Sequence, residues 1–335
     1  MNSLKKLLLV VICLFSSTTL FAQNNEPLAD EMKDLLKNDP FNVGILIQST
    51  ANYSFEDDGF NGGRNFGLGV ARLRFGGNLD NNFSYVFQME FLRQLSVIDL
   101  ALGYEFSDQF KIVAGAQKPD IGLDLQPNPG DTDFINRARL VGTMLNTREI
   151  GISGQGSIEN FDYNISVFNG QGLNTNNDGN FMYLAKVGYS KDLGGNQSLY
   201  VGGNGFLNTT ENEAVGNTGF VSDGDRIAYG IFAEYDSDEW FGSVELLGTN
   251  FETGVIDETI TGFYTTAGNK VTEKDEILAR WEHQSFDVLD ISSNLFTIGW
   301  NHQATSVISF QVNALTEFID GNESFGLSGN FQFQF

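Results

Sequence analysis

The segment FSYVFQMEFL, residues 83–92, sets Phe83, Tyr85, Phe87, Met89 and Phe91 at every second position. Ser84, Gln88 and Glu90 stand between them, with Val86 and Leu92 as exceptions. Successive side chains of a strand point to opposite faces, so this segment is a strand with one apolar and one polar face. In a soluble sandwich the apolar face packs on a second sheet. In a membrane barrel it meets lipid while the polar face lines the lumen. The same period recurs at 41–54, 66–77, 97–106, 110–118, 148–157, 161–169 and 181–190. It continues at 197–207, 225–236, 239–249, 260–268, 275–287, 293–303, 306–317 and 324–335. That makes sixteen strands, each long enough for the roughly 9–11 residues a barrel strand needs to cross a bilayer. The faintest pattern is 260–268 (ITGFYTTAG); without it the count is odd.

The connections decide between the two architectures. One set is short: 78–82, 107–109, 158–160, 191–196, 237–238, 269–274 and 304–305. The alternate set includes 55–65, 119–147, 170–180, 208–224 and 250–259, mostly long, with short members at 93–96, 288–292 and 318–323. Short inner turns alternating with longer outer loops mark an antiparallel transmembrane β-barrel with its N-terminus in the periplasm. The longest connection is then the third outer loop. It reads IGLDLQPNPGDTDFINRARLVGTMLN after Asp120, lacks strand alternation, and with Pro119 holds three of the five prolines. We expect it folded into the pore; an ordinary surface loop is the alternative.

Residues 1–22 read as a signal peptide: Lys5 and Lys6, an apolar run over 7–15, and a cleavage site at Leu20-Phe21-Ala22. Residues 23–40 then form a short periplasmic segment, and 41–335 the barrel. Cys13 lies in the signal, so the exported chain carries no cysteine. It keeps 17 basic residues against 43 acidic ones, which excludes a nucleic-acid partner. On the last strand Phe325, Leu327, Gly329, Phe331, Phe333 and Phe335 share one face. A long phenylalanine edge in water is an aggregation hazard. Phe331, Phe333 and Phe335 are instead similar to the terminal signal read by the outer-membrane assembly machinery, itself an expected partner alongside outer-membrane lipid.

No cofactor and no metal are expected. Only two histidines exist, His283 and His302, and each shares a strand face with tryptophan, as in an aromatic interface belt. Neither has a nucleophile or ligand at useful spacing. An enzyme is not expected.

The order of ARLRFGGNLDNNFSYVFQMEF (71–91), VAGAQKPDIGLDL (113–125), DFINRARLVGTML (133–145), REIGISGQGSIENFDYNISVFNGQG (148–172) and EILARWEHQSFDVLD (276–290) resembles the phosphate-selective porins of the O and P type. The last stretch leads into LFTIGWNHQATSVISFQVNA (295–314). The resemblance implies a sixteen-stranded barrel of the Gram-negative outer membrane, usually trimeric, passing small hydrophilic solutes or ions by diffusion. It also implies basic side chains along the channel: Arg72, Arg74, Lys118, Arg137, Arg139 and Arg280 are the candidates. Arg72 and Arg74 alternate with Ala71, Leu73 and Phe75, and so point to the lumen if those three face lipid. Pairing with the lumenal acids Glu90, Asp99 or Glu105 is the competing reading, and the sign of the ion preference stays open. A non-conducting structural or adhesive barrel that binds a partner through its outer loops is the alternative to a channel.

Overall fold

The computed structural model describes residues 36–38, 40–56, 63–79, 82–92, 94–175 and 178–335. The expected signal peptide and most of the 23–40 segment lie outside these residues. A two-residue strand β1 (Lys37–Asn38) is followed by sixteen barrel strands. These are β2 (Phe41–Ser54), β3 (Arg64–Asn78), β4 (Phe83–Glu90), β5 (Ser96–Ser107), β6 (Phe110–Gln117), β7 (Glu149–Ile158), β8 (Phe161–Phe168) and β9 (Met182–Asp192). The second half holds β10 (Ser198–Ala214), β11 (Val221–Asp236), β12 (Trp240–Glu252), β13 (Asp257–Lys270), β14 (Asp275–Phe286), β15 (Ile291–Gln303), β16 (Ile308–Ile319) and β17 (Asn322–Gln334). Each pairs antiparallel with its sequence neighbours, and β17 pairs with β2 from Gly326↔Ser54 to Gln334↔Leu46, which closes the barrel. Even the faint 260–268 pattern is a full strand, β13.

Burial is inverted relative to a water-soluble protein. Phe66, Leu68, Leu102, Ile165 and Ile231 project outward at 60% exposure or more, while Glu149, Glu245 and Glu258 on the inner face are fully buried. An apolar outer face and a polar inner face are what a bilayer demands of a barrel. Strand bulges tune this. The β2–β3 register slips between Gln48 and Ser49, so Phe66 and Leu68 face outward above the bulge and Ala71, Leu73 and Phe75 below it. A bulge's extra residue is what lets the outward set change parity. Val86, an exception to the alternation, lines an inner recess beside Gly76 and Ala101, and Leu92 lies beyond the end of β4.

Turn chemistry matches the hairpins. Asp320 and Gly321, between β16 and β17, both have positive φ (46° and 83°). That is the type I′ geometry whose twist suits two paired strands, and Asp-Gly is among the pairs that adopt it.

Two expectations need correction. The 208–224 and 250–259 stretches were expected to be long loops, but β10–β13 run through them, leaving connections of only 215–220 and 253–256. Threonine-rich, charged sequence hid strands that continue their hydrogen-bond ladder past the apolar zone. Phe335 also leaves the outward row of β17. Phe331 is exposed, yet Phe335 is buried, with the Lys37 ammonium 5.7 Å from its ring centroid.

The β6–β7 connection, 118–148, carries one short helix, α1 (Arg139–Met144). Leu140, Val141, Met144 and Leu145, with Ile121 and Leu125, pack on Leu184, Phe206, Leu247, Phe251, Ile260 and Tyr264 of the inner wall. The loop thus supplies the apolar partners for a sector of the lumen between β9 and β13.

Candidate functional site

Every inward charge on this wall either meets a partner or stands open to the lumen. Arg72 sits opposite Glu90 in the β3–β4 ladder, and its Nε lies 2.8 Å from Glu90 Oε2. Arg74, one step along the same face, is opposite Gln88, exposed, and without an ion pair among the described residues. Lys111 on β6 likewise makes none. The two cations line one recess of about 320 Å³ with Ser84, Asn42 and Asn78, and no carboxylate is in its lining.

Asp99 pairs with Arg148, whose Nε lies 2.6 Å from Asp99 Oδ1. Arg148, at the mouth of β7, is the partner sequence reasoning missed. Glu105, opposite Lys111 in the ladder, is exposed near the turn end and makes no ion pair among the described residues. The expected arginine–acid pairing therefore occurs for Glu90, is taken over by Arg148 for Asp99, and is absent for Glu105.

The loop cations are mostly consumed within the fold. Lys118 donates from Nζ to the carbonyls of Gln126 (2.7 Å) and Pro127 (3.1 Å). Burial, with Arg148 and Arg137 close by, pushes its ammonium down to about 7. Arg137 turns back into its own loop and donates to the Asp124 and Pro127 carbonyls. The Arg139 N–H donates to Glu282 Oε2 (2.6 Å), while its guanidinium meets Glu317 and donates to Ser293 Oγ (3.2 Å).

Arg280, only 5% exposed, is the hub. Its Nε lies 2.9 Å from Glu282 Oε1 as an ion contact without hydrogen-bond geometry. Another nitrogen is 3.6 Å from Asp124 Oδ2, a third donates to Asn136 O (2.8 Å), and the guanidinium sits 4.5 Å over the Phe134 ring. Burial raises the Asp124 carboxyl against the pull of Arg280. Burial also pushes Asp133 up to about 6, with help from Asp124 and Glu276. Of the six basic candidates, Arg74 is the one that is exposed and makes no ion pair among the described residues; Arg72 stands on the same face with its charge matched.

Several inner-face groups were not singled out from sequence. Arg226 is 1% exposed and donates to Met144 O at the end of α1. Lys186 holds Asp120 at 2.8 Å. Glu245 accepts from Leu123 N–H (3.0 Å) and from Tyr264 O–H (2.8 Å). Each points inward on its strand, but the inner phase there also carries Leu184, Phe232 and Leu247, so the period places these residues on the inner wall without marking them as polar.

The sequence model of the phosphate-selective porin O and P family matches residues 41–234. No curated protein sequence matches the chain. Among solved structures, the anion-selective porin from Comamonas acidovorans superposes with a TM-score of 0.67 at 14% identity, over 88% of this chain and 99% of that one. OmpF of Salmonella typhi, in complex with daunomycin, gives 0.65 at 10% identity over 88% and 97%. OmpT, an outer membrane protein of Vibrio cholerae, gives 0.65 at 12% over 88% and 97%. At such identities the superpositions establish the barrel alone. With the family match over more than half its length, the chain belongs to the phosphate-selective porin O and P family, outer-membrane porins of sixteen strands.

Proposed function

We propose that the chain is a passive channel whose lumen is narrowed by loop 118–148 and which favours small anions, inorganic phosphate among them. The observation that carries this reading is the Arg74–Lys111 recess: two cations that make no ion pair among the described residues line a recess that no carboxylate lines, with Glu105 opposite Lys111 in the ladder but outside that lining, in a chain with a formal charge of −24. Most other lumenal cations are neutralised by an acid or held by carbonyls, so they stiffen the wall and contribute little net field. Selectivity then follows the uncompensated charges and not the total. No covalent step is involved. The channel works as a homotrimer in the outer membrane of a Gram-negative bacterium, inserted by the assembly machinery through its phenylalanine-rich last strand.

The experiment is single-channel recording in planar bilayers with a KCl gradient, with and without phosphate. Open steps with an anion-favouring reversal potential, reduced by phosphate, support the reading. Open steps that favour cations and ignore phosphate leave a porin without the namesake preference. The apolar cluster under α1 favours a second reading, a plugged structural or adhesive barrel. Folded protein that gives no steps would establish that one instead.

A further inference from the structure

The loop is held in two different ways. Its helical part rests on apolar packing and ionic contacts. Its tip, 129–136, has one fully buried apolar side chain, Phe134, and is held otherwise by hydrogen bonds to the wall. Four of these come from neutral side-chain amides on four adjacent strands. Gln48 of β2 donates to Pro129 O (2.9 Å), and Gln332 of β17 donates to Gly130 O (2.8 Å). Gln311 of β16 donates to Thr132 O (2.9 Å), and Asn301 of β15 donates to Asp133 O (2.9 Å). The order of loop carbonyls follows the order of strands around the wall.

The rungs support one another. Gln48 and Gln332 are directly opposite in the β2–β17 ladder, and Gln48 also donates to Gln332 Oε1 (2.7 Å). Asn301 and Gln311 are opposite in the β15–β16 ladder, and Asn330 donates to Gln311 Oε1 (3.1 Å). An amide supplies a donor to the loop and an acceptor to its neighbour, which neither a carboxylate nor an ammonium can do.

We propose that Gln48, Asn301, Gln311 and Gln332 are the positioning residues of the constriction: a latch of neutral amides that fixes the loop tip and so sets the size limit of the channel, separately from the charges that set its ion preference. This rests on the reading that the loop narrows a conducting lumen. The division of labour is specific. Loss of an ionic contact such as Arg139–Glu317 leaves α1 seated on its apolar cluster. Loss of the amides frees residues 129–133 from the wall apart from the Gln334 bond to Asp131, while Phe134, Ile135 and Asn136 stay anchored by Arg280 and Asn313.

The test is the size of neutral polyethylene glycol that still lowers the conductance of full-length channels in planar bilayers. Folding is checked by the shift of unheated protein on gels. Gln311→Leu with Gln332→Leu is expected to move the exclusion limit to larger polymers with the reversal potential unchanged. Asn301→Leu should follow, whereas Asn301→Gln, which keeps the amide, should hold the original limit. Arg139→Gln should also hold it. A folded double variant with an unchanged limit overturns the latch; if removal of residues 128–136 still raises the limit, the loop remains the constriction. If that deletion leaves the limit unchanged as well, the constriction reading fails and takes the latch with it.

Discussion

Arg74→Glu tests whether a wall charge without an ion pair acts on passing ions, apart from the charges that hold the wall together. Arg74 is exposed and has no ion pair among the described residues, whereas Arg72 on the same face has Glu90 at 2.8 Å. In water a unit charge about 6 Å from a passing monovalent ion contributes about 0.7 kcal/mol. A Debye length of about 8 Å at physiological ionic strength roughly halves this. The substitution changes the local charge by two units. An anion therefore loses about 0.7 kcal/mol and a cation gains as much, a shift of about 1.4 kcal/mol and thus about tenfold in the permeability ratio. The double change Arg72→Gln with Glu90→Gln removes a compensated pair and should leave the ratio within about twofold. Reversal potentials in a KCl gradient read both. The Arg74 effect should shrink near 1 M salt, where the Debye length is about 3 Å. If Arg74→Glu moves the ratio by less than about twofold, or the paired variant moves it more, the assignment of selectivity to uncompensated charges is wrong.

Lys118, depressed to about 7, gains its proton as pH falls through that value, so the anion preference should rise on going from alkaline to acid conditions, and Lys118→Gln should abolish this step in a reversal-potential titration. Arg280→Met leaves Glu282 and Asp124 facing a neutral side chain and should destabilise the barrel by about 3–5 kcal/mol in a denaturant titration in lipid. Ile231→Arg puts a charge on the outward face and should cost about 2–4 kcal/mol in the same titration. Gly268→Val should lower the unfolding midpoint, because a Cβ there would lie 2.1 Å from the Phe241 ring; an unchanged midpoint would mean that the ring has room to move.

The barrel was legible because its signal is repeated. One alternating segment such as 83–92 fits a sandwich or a barrel equally well, but sixteen of them with alternating connection lengths do not. Errors fell where alternation loses its apolar partner. Over 208–214 the sequence NTTENEA carries no apolar phase until Ala214, yet β10 continues there, because a ladder needs only backbone groups and a neighbouring strand. The bulge at Gln48 was also invisible. It depends on how two strands slip against each other, which neither strand records alone.

The site was less legible, for a reason that bears on how such channels should be read. Parity tells which side of the wall Arg72 and Arg74 occupy, but not that Glu90 stands opposite the first and Gln88 opposite the second. That difference is a matter of register across β3 and β4, and it gives one arginine an ionic partner and leaves the other exposed opposite a neutral amide. The same holds for Arg139 and Arg280, which sequence groups with the pore cations and the fold spends on Glu317, Glu282 and Asp124. A net charge of −24 likewise counts the exposed acids at the strand ends, Asp223, Asp225 and Asp257 among them, equally with acids buried in the wall such as Glu149, Glu245 and Glu258. Exposed charges several Debye lengths from the narrowest point are screened there, and those gripped by backbone N–H groups are already committed. On the proposed reading a solute answers to the remainder, and along β3–β6 that remainder sets Arg74 and Lys111 against Glu105, while the larger recess by the loop tip carries Asp131, Asp133, Glu273 and Glu276, so the reversal potential decides which set dominates.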